Sequence, residues 1–374
     1  MKTIKDIEFL EGVKVLVRVD FNVPIKNGTV VEDFRIKSAI PTIEYLQSKG
    51  AKVILIGHLE ANEASDNSFK PVAEYINNKM AKKVSFVANL RNASQFIENE
   101  IKNGDCVLLE NLRFDDGEKK NDPKFAQALA SLGDIYVNDA FSVCHRSHAS
   151  VVGVPKLMPS YAGFQLEKEV ANLSKAFSPS HPFLFILGGA KFETKLPLLE
   201  KFIEIADHVF VGGALATDFF KIKGYEIGTS LVSEGDFGLE KYVNNPKLLI
   251  PIDVKTKDGE IKMADALSKT DAIMDCGPGT IDSLSDKVKN AKLILWNGPL
   301  GVYEQGYKDS TLSLARLIAN NHDRGVESLV GGGDTIAAIA ENNDEGRFSF
   351  VSTGGGAMLD FLAKGTLPGI EVLG

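Results

Sequence analysis

The second half of this chain runs strand after strand into glycine. Phe183–Leu187 is almost wholly apolar and leads into Gly188-Gly189, and His208–Val211 leads into Gly212-Gly213. Asp271–Met274 leads to Asp275-Cys276-Gly277, and Leu293–Trp296 to Asn297-Gly298-Pro299. Ser328–Val330 meets Gly331-Gly332-Gly333, and Phe348–Val351 runs toward Gly354-Gly355-Gly356. Short apolar runs bounded this way, with helical patterns between them, predict an α/β fold: a mainly parallel sheet covered by helices on both faces. Turn chemistry alone does not call for glycine so regularly after strands. Close approach of the backbone to a ligand is the economical cause.

The stretch Ser328–Ala340 is the sharpest case. Three glycines are followed by Asp334, Thr335 and an apolar helix-forming run. A helix start offers unpaired N–H groups and partial positive charge, so the turn suits a phosphate, and Asp334 sits where a Mg²⁺ ligand could reach it. After Gly188-Gly189, Lys191 and Lys195 are four apart and would share a face if a helix has begun there. The GxxxxGK[ST] spacing of a Walker A loop is missing. Trp296, the only tryptophan, lies inside a strand pattern and is expected in the core.

The first half alternates in the same way but ends its strands differently. Lys14–Val19 precedes Asp20-Phe21-Asn22, Lys52–Ile56 precedes Gly57-His58-Leu59-Glu60, and Cys106–Leu109 precedes Glu110-Asn111-Leu112-Arg113. Val84–Val87 and Ile135–Val137 are further strands, the latter leading to Asn138-Asp139-Ala140-Phe141. Helices are expected around Ile36, Ile40 and Ile43, over Pro71–Met80, and over Lys124–Leu132 with Phe125, Leu129 and Leu132 on one face. Asp20 and Asn22 face the same way on an extended chain and could hold a hydroxyl and a carboxylate, or serve as turn caps. Cys144, His145 and His148 have metal-capable side chains, but no second ligand pair follows and Arg146 sits among them. An anion site is the better reading, with Arg113 and Arg146 each just past a strand end.

At 374 residues the chain suits two domains. Its net charge of −8 argues against a nucleic-acid or anionic-membrane partner. Three widely spaced cysteines without a CxxC pair suggest reduced thiols and a cytoplasmic protein. Met1–Leu10 lacks a long apolar core, so no leader peptide is expected, and no run is long and apolar enough to cross a membrane. Pro155–Pro159 is a break, and Phe164–Phe177, between Gly163 and Pro179, reads as a connecting helix. The tail, Leu359–Gly374, is expected to dock back on the first half. No Ser/His/Asp triad and no acid/base carboxylate pair stands out. That fits a phosphoryl transfer whose attacking oxygen is already anionic and needs positioning and charge neutralisation, with two clefts meeting by hinge closure.

These residues resemble the phosphoglycerate kinase family. Arg18–Pro24, Glu110–Phe114, Asn138–Phe141, Gly188–Lys191, Trp296–Gly301, Gly331–Thr335 and Ser352–Gly356 occur in the family's order across essentially the whole chain. The resemblance implies reversible transfer between 1,3-bisphosphoglycerate with ADP and 3-phosphoglycerate with MgATP, in glycolysis. It implies two Rossmann-like domains: residues 1–160 binding 3-phosphoglycerate and joined by the tail 360–374, an interdomain helix within 161–178, and a nucleotide domain 179–359. A monomer is expected. By position, Asp20, Asn22 and Arg35 look like holders of the glycerate group, Arg35 also facing the migrating phosphoryl, and His58, Arg113 and Arg146 like the site of the non-transferring phosphate. Lys191 resembles the group that neutralises the phosphoryl in flight, and Lys195 the lysine on the nucleotide phosphates. Gly212, Gly213, Asn297 and Glu304 match nucleotide positions, and Asp334 resembles the metal ligand. Gly332, Gly333 and Thr335 line the phosphate cradle, with Gly354 and Gly355 near the phosphoryl path.

There is one departure. After His58-Leu59 the family has glycine, arginine and proline, whereas this chain has Glu60-Ala61-Asn62. A lost charged hydrogen bond costs about 1.5–3 kcal/mol, so substrate binding is expected to weaken and Ala61→Arg to lower the KM for 3-phosphoglycerate. Two alternatives follow: a kinase for a related acyl phosphate, and a catalytically impaired nucleotide-binding homologue.

Overall fold

The structure is a computed structural model that describes residues 1–60, 67–78 and 83–373. The chain divides into two compact units, Met1–Ala171 with Thr366–Gly374, and Asn172–Gly365.

The first unit holds a six-stranded parallel sheet of β1 (Lys14–Arg18), β2 (Lys52–Ile56), β3 (Val84–Val87), β4 (Cys106–Leu109), β5 (Ile135–Asn138) and β6 (Ser160–Ala162). Their order is β3-β4-β2-β1-β5-β6. Continuous apolar runs such as Val15–Val17 and Val107–Leu109 are fully buried, as strands covered on both faces must be. Register pairs Arg18 with both Ile56 and Asn138, so the C-terminal strand ends share one edge. The order reverses beside β1, the place where open α/β sheets leave a crevice. Helix Phe34–Ser48 buries Ile36, Ala39, Ile43 and Leu46, while Ile40 is half-buried at the edge of that face. Helix Lys70–Asn77 covers the start of the expected Pro71–Met80, whose end lies outside the described residues. Strand β6 was not expected. At three residues beside a double-proline break it carries too little pattern to read.

Residues 366–374 pack onto this unit through the short helix Pro368–Glu371. Gly369 donates its N–H to Cys144 O at 2.8 Å and accepts from Asn138 Nδ2 at 3.3 Å. A Cβ there would sit 2.9 Å from Cys144 Cα, so only glycine allows this backbone-on-backbone approach. Helix Phe164–Ser174 continues as a 3₁₀ turn to Phe177, and the boundary between units falls within it. Asp139 Oδ1 caps its start, accepting from Gln165 N at 2.8 Å and Leu166 N at 3.3 Å.

The second unit holds another six-stranded parallel sheet: β7 (Phe183–Leu187), β8 (His208–Val211), β9 (Leu248–Leu249), β13 (Leu293–Asn297), β14 (Glu327–Gly331) and β15 (Phe350–Val351), ordered β9-β8-β7-β13-β14-β15. Strands β7 and β13 are buried throughout. Trp296 is in the core, its indole N–H donating to Gly298 O at 2.9 Å. A separate antiparallel sheet of β10 (Asp253–Thr256), β11 (Ile261–Met263) and β12 (Ile273–Cys276) corrects the sequence reading in two ways. The expected Leu248–Ile252 strand is cut to two residues, and Asp271–Met274 feeds this sheet, not the parallel one. Asp253–Thr256 carries Lys255 and an acidic first residue, and Ile261–Met263 is short and largely exposed, so neither shows an apolar run in the sequence. Among the described residues no helix is long and apolar enough to cross a membrane.

Candidate active site

In the first unit, six predicted residues form one connected cluster at the C-terminal edge of the sheet. Arg35, half-buried on helix Phe34–Ser48, donates to Asn22 O at 3.0 Å and lies 3.4 Å from Asp20 Oδ2. Asp20 is buried; its Oδ1 accepts from Asn22 N at 3.2 Å and its Oδ2 from Ser142 Oγ at 2.5 Å. Asn22 Oδ1 accepts the N–H of Glu60 at 2.9 Å. The Glu60 carboxylate then reaches Arg146 Nη1 at 3.0 Å and stands 3.9 Å from Arg113 Nη2 and from His58 Nε2. Asp20 thus serves as a local turn cap, whereas Asn22 ties this turn to the backbone of Glu60.

Burial sets the charges here. His58 is buried, and that burial, with the positive charges of Arg18 and Arg113, holds its imidazole well below the ordinary range, so it is neutral at pH 7. Arg18 Nη2 lies 3.0 Å from His58 Nδ1. A guanidinium only donates, so Nδ1 accepts and Nε2 carries the proton, 3.9 Å from the Glu60 carboxylate. Arg18 is itself fully buried, held by Ser150 Oγ at 2.9 Å, and Ser150 donates in turn to buried Glu118 at 2.6 Å. Arg113 is pulled down from its usual value by burial and by Arg146. Among the described residues its buried Nε and Nη2 have no hydrogen-bond partner. For Glu60, burial raises the pKa, but the Arg146 hydrogen bond and neighbouring cations outweigh it, and the carboxyl is lowered. Cys144, of the rejected zinc reading, points into the core, its thiol pushed up to about 12 by burial.

In the second unit, glycines after parallel strands open helices that no side chain caps. Gly213 (φ +64°) precedes helix Ala214–Ile222, Gly332 (φ +105°) precedes Gly333–Glu341, and Gly355 (φ +51°) precedes Gly356–Lys364. Their first N–H groups lack intrahelical partners, and positive φ is what requires glycine. A cavity of about 300 Å³ is lined by Gly189, Gly213, Met274, Leu300, Glu304 and Asp334, among others. An apolar wall with a carboxylate pair suits a base and ribose. Asp334 is half-buried, and burial with the Glu304 charge raises its pKa. Hard oxygen donors short of counter-charge fit a Mg²⁺ ion.

Lys195, Asn297, Gly332 and Thr335 form an adjoining group. Lys195 is buried, hydrogen-bonds Asn297 Oδ1, and is held down to about 8 by burial. Thr335 Oγ1 accepts Gly298 N at 3.1 Å, and a Cβ on Gly332 would lie 3.6 Å from Asn297 Nδ2. The helix begins at Phe192, so Lys191 precedes it in extended backbone and is exposed. The shared helix face for Lys191 and Lys195 is therefore not formed. Gly212 is buried behind Gly213, Gly333 is exposed, and Gly354 is buried before half-buried Gly355.

Comparison with known proteins agrees with this picture. The profile of the family described as phosphoglycerate kinase matches residues 4–365. The chain belongs to the phosphoglycerate kinase family. The phosphoglycerate kinase of Dictyoglomus turgidum is 42% identical, covering 100% of this chain and 98% of that protein, and the one of Thermosipho africanus is 41% identical over 98% and 96%. The solved phosphoglycerate kinase of Coxiella burnetii superposes with a TM-score of 0.87 at 35% identity, over 99% of this chain and 98% of that one. That of Pyrococcus horikoshii gives 0.85 at 32% identity, over 100% and 98%. Family membership makes the chain a glycolytic phosphotransferase with a carboxyl group as acceptor, and the impaired-homologue and related-kinase alternatives are not favoured.

Sequence reasoning did not assign roles to Arg18, Ser142, Glu118 or Ser150, which hold the phosphoglycerate kinase family residues in place. Arg18 lay inside a quoted motif, but the others had no signal. Glu118 sits in the polar run Asp115–Lys120, which reads as solvated, yet it is fully buried. Glu60 was expected only as a carboxylate nearby, and the structure makes it the residue that links Asn22 to Arg146. Ala61, the site of the missing arginine, lies outside the described residues.

Proposed function

We propose that the first unit binds 3-phosphoglycerate or 1,3-bisphosphoglycerate and the second binds MgATP or MgADP, with hinge closure bringing the bound molecules together. The observation that carries the substrate half is Arg113, whose buried Nε and Nη2 lack an acceptor among the described residues. A phosphate supplies oxygens to both guanidinium groups. Arg35, Asp20 and Asn22 hold the carboxylate and hydroxyl of the glycerate, and neutral His58 donates from Nε2 to the non-transferring phosphate.

In the kinase direction the substrate carboxylate oxygen forms a bond to the γ-phosphorus while the bond to the β-bridging oxygen of ATP breaks. No proton moves, so no general base is needed. Arg35 and Lys191 neutralise charge on the phosphoryl, and Lys195 grips the nucleotide phosphates. The N–H groups behind Gly213, Gly332, Gly333, Thr335 and Gly355 receive phosphoryl oxygens, and Asn297 fixes the ammonium of Lys195. Glu304 takes a ribose hydroxyl. Asp334 would hold Mg²⁺, which supplies charge neutralisation on the nucleotide phosphates.

The test is a coupled assay of ATP-dependent turnover of 3-phosphoglycerate, wild type beside Arg35→Ala. Loss of a preorganised charge at the transferring group is expected to lower kcat about 100- to 1,000-fold. A wild type with no turnover, or a variant with unchanged kcat, overturns the assignment.

A further inference from the structure

Glu60 sets a negative charge beside the guanidinium groups of Arg146 and Arg113 and the neutral imidazole of His58. Its Oε1 is 3.0 Å from Arg146 Nη1 and 3.9 Å from Arg113 Nη2 and His58 Nε2. Its main chain is pinned, because the N–H donates to Asn22 Oδ1. Its side chain is half exposed, at 50%, so the carboxylate can turn into water without moving the backbone. One carboxylate does not saturate the cluster. Among the described residues, only Arg146 is within hydrogen-bond reach of it, and the buried Nε and Nη2 of Arg113 have no hydrogen-bond partner.

We infer that Glu60 is a resident anion of this site, a carboxylate that an arriving phosphate monoester displaces from Arg146, and so a residue that sets which anions the site accepts and how tightly. The inference rests on the reading of Arg113 and Arg146 as the phosphate site. A phosphate monoester carries nearly two negative charges and three acceptor oxygens. It can bond Arg146 and Arg113 together, which Glu60 Oε1 does not. A ligand carboxylate would only exchange like for like and gains little. Glu60 therefore filters for phosphate over carboxylate, at a small cost in phosphate affinity. That cost is small because ion pairs with this much solvent contact are weak.

The test compares Glu60→Gln with Arg146→Ala in the full chain. Gln keeps the size and an acceptor oxygen but not the charge. Glu60→Gln is expected to lower the KM for 3-phosphoglycerate about two- to five-fold, the range of a part-exposed ion pair, while the KM for ATP stays put. The inhibition constant of inorganic phosphate against 3-phosphoglycerate should fall in parallel, a readout that a merely structural residue would not move. If Arg146→Ala leaves the KM for 3-phosphoglycerate unchanged, the phosphate-site reading fails. If Arg146→Ala raises it but Glu60→Gln leaves it unchanged, the resident-anion inference alone fails. A raised KM in Glu60→Gln would mean that Glu60 orients Arg146, and overturns the inference too.

Discussion

Replacing Lys195 by Met separates the cost of a buried charge from its use. Lys195 is 8% exposed, with Asn297 as its hydrogen-bond partner, and burial brings its pKa from 10.5 to about 8. At about 1.36 kcal/mol for each tenfold in proton affinity, that is roughly 3 kcal/mol of folded-state penalty. The sign follows from linkage. Below pH 8 both folded and unfolded states are protonated and the penalty is full. Between about 8 and 10.5 the folded state releases its proton first, so stability rises with pH, and above 10.5 the penalty is gone. Lys195→Met abolishes that slope. At pH 7 it removes the penalty but leaves Asn297 Oδ1 without its donor, a loss of about 1–3 kcal/mol, so the net gain is about 0–2 kcal/mol.

Trp296 supplies the assay. It is the only tryptophan and is buried in the second unit, so its fluorescence reports unfolding of the unit that contains Lys195. In urea titrations, wild type should gain about 2–3 kcal/mol relative to Lys195→Met between pH 7 and pH 10. In the same variant, ADP affinity should fall roughly 10- to 150-fold with the lost charged hydrogen bond. Equal pH slopes in the two proteins would refute the buried-ammonium argument, whatever happens to ADP.

Three further outcomes are expected. Asp334→Asn should raise the half-saturating Mg²⁺ concentration for turnover about tenfold or more, since it removes a charged oxygen donor; an unchanged Mg²⁺ titration places the metal ligand elsewhere. Gly188→Ala should lower the Trp296-detected urea stability by about 1–3 kcal/mol or more, because the added Cβ collides with the carbonyl oxygens of Gly298 and Pro299. Burial raises the Asp139 carboxyl from 3.8 to about 7, so its contribution falls as pH climbs through that window, the unfolded chain ionising first. Asp139→Asn keeps the oxygen that caps helix Phe164–Ser174 and should flatten the pH dependence of the urea midpoint followed by circular dichroism; a wild-type slope in the variant counts against the buried carboxyl.

The parallel sheets were legible because burial on both faces forces continuous apolar runs, and Phe183–Leu187 or Cys106–Leu109 cannot be read as anything but interior strands. The antiparallel strands Asp253–Thr256 and Ile261–Met263 were not. The strand with Lys255 and the largely exposed one with Lys262 have no such run, and the turn at Gly259 joins them. Site residues were legible where they lie at a strand's end or within a few residues past it, as with Asp20, Arg113 and Asn297. The supports were hidden because they come from remote segments: Ser150 holds Arg18 across 132 residues, and Ser142 holds Asp20 across 122. Spacing along the chain carries no trace of such a pairing.

Both half-sites share one electrostatic condition, which ties their geometry to function more closely than any motif does. Among the described residues Arg113 keeps two buried N–H-bearing nitrogens without acceptors, and burial lowers the Lys195 pKa to about 8. Each is a cation kept in a place that penalises its charge. Well-matched internal carboxylates would relieve both, and in stability terms they would be the better choice. Glu60, half-exposed on a pinned backbone, and buried Glu118 relieve Arg113 in part. On the proposed reading, a phosphate arriving at either cation offsets that desolvation penalty, so part of its binding energy would come from there. Filling either site with a fixed internal anion should therefore raise the stability of that unit and weaken its ligand together, and a variant that gains one without losing the other would break the link.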